Sequence, residues 1–69
     1  MIEVIFEDRF GDERVLAVAH NDEEANEIIS AFLEAKNYKS FYWRYWKNQN
    51  GDTMVDVGSH SEFFILREV

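Results

Sequence analysis

The chain predicts an α+β fold: a single helix packed on one face of a mostly antiparallel sheet, with elements in the order ββαβββ. Three observations carry that prediction. Apolar residues alternate at period two in stretches near both ends. Between them, one stretch repeats its apolar residues at three-four spacing. An Asn50-Gly51 pair of the kind that closes hairpins then lies between two further alternating runs.

Ile2, Val4 and Phe6 alternate with Glu3, Ile5 and Glu7, which reads as a strand with its even positions inward. Asp8 to Glu13 forms a turn in which Gly11 is free to take a positive φ. Arg14 to Ala19 returns as the second strand of a hairpin. Asn21 and Glu24 have capping-box spacing, and Ala25, Ile28, Ile29, Phe32 and Leu33 then lay one apolar stripe along a helix. Acids in the first turn and Lys36 at the end favour the helix dipole, and Asn37 suits a left-handed cap. A strand from about Ser40 to Lys47 follows, then a loop over Asn48 to Asp52, then a strand through Thr53, Val55 and Val57. Residues 62–67 admit two readings. Ser59 with Glu62 fits a cap before a short helix, whereas Phe63-Phe64-Ile65-Leu66 favours a buried strand.

Residues 1–69 make one small domain, short enough that only about 60% of its extended surface is buried on folding. Eleven aromatic residues compensate, because each buries a large apolar area. The chain has no Cys, which removes disulfides and cysteine-based metal sites and fits a reducing compartment. No apolar run reaches the ~18 residues of a membrane span. The acidic N-terminal stretch does not resemble a signal peptide, so a cytoplasmic location without membrane association is expected.

The net charge is −7, unevenly distributed. Residues 1–34 carry ten acids against Arg9 and Arg14, a net of −8, while residues 35–69 carry four acids against five bases, a net of +1. Such a surface repels phosphate backbones and is drawn to basic partners. Asp22, Glu23, Glu24 and Glu27 are therefore a secondary candidate surface, mimicking nucleic-acid charge to inhibit a basic partner; solvated acids that keep the chain soluble are the plainer reading. Small acidic inhibitors encoded by phages and other mobile elements share this size and charge, a likeness of composition alone.

Residues 38–46 hold six of the eleven aromatics. Phe41, Trp43 and Tyr45 load one face of the expected strand and are assigned to the core with Val4, Phe6, Ile28, Ile29 and Phe32. Tyr42, Arg44 and Trp46 load the other face, joined by Met54 from the following strand. One helix covers one sheet face, so apolar residues on the second face point to a contact surface. Aromatics with Arg are the residues enriched at binding hot spots, which predicts a protein partner or a homodimer formed through this face. The alternative is single-stranded nucleic acid stacked along residues 41–46, flanked by Lys39 and Lys47; the acidic charge opposes it.

Catalysis is not expected. Asp56, Ser59, His60 and Ser61 invite a triad, but neighbours in one turn point apart rather than converging. His20, Asp22, Glu23 and Glu27 suggest a metal site less than they suggest dipole-matched acids, and no cofactor motif or small-molecule substrate is evident.

Overall fold

The computed structural model describes residues 1–40, 42–59 and 61–69. Its elements run β1 (Ile2–Glu7), β2 (Glu13–Ala19), α1 (Asp22–Ala35), β3 (Arg44–Lys47), β4 (Thr53–Asp56) and β5 (Phe63–Glu68). The ββαβββ order is as expected. The five strands form one sheet in the order β2-β1-β5-β4-β3, and every neighbouring pair is antiparallel. Residues 63–68 are thus a strand, and a central one. That place explains the four consecutive bulky residues: Phe64 and Leu66 face the helix, while Phe63 and Ile65 face the other way.

The β1–β2 and β3–β4 hairpins close by the same local chemistry. In the first, Asp8 Oδ1 accepts from the backbone N–H groups of Phe10 and Asp12, and Gly11 N donates to the Asp8 carbonyl. In the second, Asn48 Oδ1 accepts from Asn50 and Asp52, and Gly51 N donates to the Asn48 carbonyl. Gly11 and Gly51 stand at φ 85 and 82, where a side chain strains the backbone. Asx-x-x-Gly-Asp is therefore a repeated turn unit in a chain with no repeat at larger scale.

The helix is bounded at both ends as its sequence requires. Asn21 Oδ1 accepts from Glu24 N at 2.8 Å. The Glu24 carboxylate reaches back to His20, accepting from its backbone N–H at 3.2 Å and lying 3.1 Å from its ring Nδ1. The expected capping box thus closes one residue further out than Asn21. At the C-terminal end Asn37 takes φ 55, Asn37 N donates to the Glu34 carbonyl and Tyr38 N to the Leu33 carbonyl, a Schellman closure. Ala25, Ile29 and Leu33 are buried, with Ile28 and Phe32 half-buried beside them.

The helix lies over β1 and β2. Its core partners are Ile2, Val4, Phe6, Phe64, Leu66 and Val55, with Phe6, Phe32 and Phe64 in mutual ring contact. Lys36 closes the end of this cluster, its ammonium 4.8 Å from the Phe6 ring centre and 4.9 Å from that of Phe32.

Two expectations need correction here. The aromatic strand begins at Arg44 rather than Ser40, because the Tyr38 hydroxyl donates to the Val57 carbonyl and the Ser40 hydroxyl shares its proton between the Val57 and Tyr42 carbonyls, which holds the approach off the ladder. Tyr45 lies on the helix side, as its parity predicts, yet it is half exposed. The helix packs on β1 and β2, and the Tyr45 hydroxyl reaches across to it, donating to Asn26 Oδ1 at 3.2 Å. Burial raises the Tyr45 phenol pKa; the Asn26 contact partly opposes this and nearby Asp22 adds to it. Trp43 packs against the core as expected, and the core assignment of Phe41 lies outside the described residues.

Replacing Asn21 with Ala removes the cap acceptor and is expected to cost about 1 kcal/mol in urea denaturation with an unchanged slope. Phe64→Ala is expected to cost about 3–5 kcal/mol, most of what a domain this small possesses. The His20 contacts lower the Glu24 pKa below its ordinary value. Its stabilising contribution is therefore full above the ordinary glutamate range and is lost as pH falls through the lowered native value. Glu24→Gln is expected to be less stable than the parent at neutral pH, with the difference closing on acidification in parallel thermal melts.

Candidate functional site on the helix-distal face

Ladder pairing places Glu3, Ile5, Glu7, Phe63, Ile65, Arg67, Met54, Asp56, Arg44 and Trp46 on the sheet face away from the helix. Among the described residues no helix covers this face, yet Ile5 and Ile65 at its centre are only 1% and 3% exposed. The sheet's own side chains account for this. Arg67 Nε and Nη2 both donate to Asp52 Oδ2 at 3.2 Å, and Nη2 lies 3.7 Å from Glu13 Oε1. Asp52 adjoins β4 and Glu13 belongs to β2, so the guanidinium bridges acids drawn from either side of the two central strands. The bond to Asp52 raises the Arg67 pKa. On the other flank, Phe63 meets the Trp46 ring edge-on at 6.1 Å.

What stays open is the β3 margin. Tyr42 and Trp46 are 44% and 40% exposed. Arg44 lies between them, its guanidinium carbon 5.6 Å from the Tyr42 ring centre and 5.8 Å from that of Trp46. Arg44 Nη2 donates to Asp56 Oδ2 at 2.8 Å, and Asp56 is 4% exposed. That carboxylate also accepts from Gly58 N, and its bond with Arg44 raises the Arg44 pKa. A buried acid thus fixes the middle rung of an aromatic–cation–aromatic ladder whose outer rungs face solvent.

The structure therefore brings Tyr42, Arg44, Trp46 and Met54 together on one face. Met54 is half-buried behind Trp46, its cross-strand neighbour, with its sulfur accepting from Asn48 Nδ2 at 3.6 Å. Asp56, Phe63 and the Asp52–Arg67 pair also serve this face, and sequence reasoning passed over them in that role. A signal for Asp56 was present: a hairpin closing on Asn50-Gly51 sets Arg44 opposite Asp56. Val15 and Val18, exposed on β2, extend the apolar character to the far edge.

The acidic surface is less unified. Glu24 is engaged at the helix cap, which leaves Asp22, Glu23 and Glu27 facing solvent. His60, part of the triad reading, lies outside the described residues. Among the described residues no helix is long and apolar enough to cross a membrane.

Comparison with protein-family models, curated proteins and solved structures finds no match.

Asp56→Ala removes the anchor of Arg44 and is expected to free the Trp46 ring. Acrylamide quenching of tryptophan fluorescence should rise while far-UV circular dichroism is retained. Unchanged quenching in a folded variant would mean the ladder does not depend on Asp56.

Proposed function

We propose that this chain is a non-catalytic protein-interaction module that binds a partner or itself through the helix-distal face at β3, with Tyr42, Arg44, Trp46 and Met54 as the contact set. The observation that carries the reading is the ladder: two half-exposed aromatic rings held about an arginine that a buried aspartate fixes in place. Trp, Tyr and Arg dominate binding hot spots, because each offers a large contact area with a polar handle. Rungs already held in one geometry lose little conformational entropy on docking. The open rings are not needed for the core, which is assembled on the opposite face.

Single-stranded nucleic acid fits this surface less well. Arg44 is committed to Asp56, so the cations left for phosphates are Lys39 and Lys47 beside a strongly acidic chain. Charge mimicry by the helix start has only Asp22, Glu23 and Glu27 to offer and forms no shaped site with them.

Affinity capture from native lysate, with and without nuclease, tests the proposal. A nuclease-resistant partner is expected on the parent chain. Its affinity should fall by about 2 kcal/mol, roughly 30-fold, in Trp46→Ala with the fold retained. Asp22, Glu23 and Glu24 changed together to Lys should leave that affinity within a few-fold. Capture that vanishes with nuclease would transfer the site to nucleic acid.

A further inference from the structure

We propose that the partner at β3 is a second copy of this chain, joined by antiparallel pairing of β3 with β3 about a twofold axis at Tyr45. The inference rests on the reading of β3 as a protein-contact surface and names its occupant.

β3 ends the sheet, and among the described residues its outer backbone groups face no strand. The two sheet edges are built differently. β2 breaks register opposite Val4 and Ile5, where Leu16 is the extra residue. A bulge of this kind discourages a further strand. β3 pairs in unbroken register and carries neither bulge nor proline. Of its own two cations, Arg44 is engaged by Asp56, and Lys47 stands at the strand's end with its ammonium 3.4 Å from the Gly51 carbonyl.

The order of side chains decides what fits. Residues 43–47 read indole, guanidinium, phenol, indole, ammonium. Two copies of a strand keep their faces aligned only when the pairing centres on a residue, because side chains alternate. Centred on Tyr45, each Arg44 lies opposite the other copy's Trp46, and each Lys47 lies opposite the other copy's Trp43, one residue beyond the strand. Every cation then meets an indole and no like charges face each other. Centring on Arg44 would instead set two guanidiniums in opposition. Centring on Trp46 would move Arg44 from an indole to Asn48.

The charge distribution agrees for the acids of the first hairpin, while Asp22, close enough to Tyr45 to raise its phenol pKa, stays beside the junction. Glu3, Glu7, Asp8, Asp12 and Glu13 belong to the β1–β2 hairpin, at the opposite end of the sheet. Joining through β3 keeps those acids at the two far ends of a continuous sheet. The distal faces would merge as well, so the two Tyr42–Arg44–Trp46 ladders would run side by side.

Light scattering on the full chain tests this at the highest soluble concentration, where twice the 8.2 kDa chain mass is expected. Tyr45→Lys and Tyr45→Glu each place like charges on the axis, and each variant alone should have the single-chain mass. An equimolar mixture should recover the doubled mass, since Lys then faces Glu; circular dichroism confirms that both variants are folded. A single-chain mass for the parent overturns the inference while leaving a heterologous partner to be found by affinity capture. A doubled mass unaffected by either variant overturns the edge pairing but retains self-association through the face. Two single-chain variants that do not pair when mixed overturn the axis at Tyr45.

Discussion

One helix of fourteen residues has to serve a sheet of five strands, and the rest of the structure follows from that mismatch. The helix sits over β1 and β2, so the core concentrates beneath it and thins toward β3. Among the described residues the second face receives no helix. An antiparallel sheet tolerates water on one face when that face is polar, but here its centre is Ile5 and Ile65. Arg67, held between Asp52 and Glu13, and the Trp46–Phe63 contact take the place of a covering element. An arginine suits this task because its stem packs on apolar atoms while its guanidinium stays with carboxylates.

That internal cover stops short of the β3 margin, and the functional reading grows from there. Tyr42, Arg44 and Trp46 are ordered by Asp56 rather than by burial of the rings. Placing a carboxylate out of water carries a desolvation cost that the Arg44 contact offsets. The outcome is a surface that is neither core nor plain solvent-facing charge. The acidic residues play a separate part. Several of them shape turns and caps, as Asp8 and Glu24 do, and Asp22, Glu23 and Glu27 face solvent.

Much of this was legible in the sequence because local signals agreed. The helix from its Asn21 cap to Asn37, the first hairpin and the Asn50-Gly51 turn all carry residue-level causes that survive in the folded chain. Parity along 44–46 also held, since alternation is a property of the strand itself. Residues 38–43 misled because their composition suits a strand, whereas two side-chain hydroxyls on the Val57 carbonyl divert them; no pattern in the sequence announces that contact. The half-exposure of Tyr45 and the closure over Ile5 and Ile65 were hidden for a different reason. Both depend on strand order, and the central position of β5 brings together residues distant in the chain.

Hydroxyl-radical footprinting of the full chain, alone and then in its assembled state, tests the central claim most directly. Phe10, 82% exposed at the tip of the first hairpin, provides an internal reference. In the dilute chain Tyr42, Tyr45 and Trp46 should all be oxidised, with Phe63 and Phe64 oxidised far less. On assembly the first three should become protected together while Phe10 stays unchanged. Protection of Phe10 with continued oxidation of Tyr42 and Trp46 would place the contact surface elsewhere and contradict the claim.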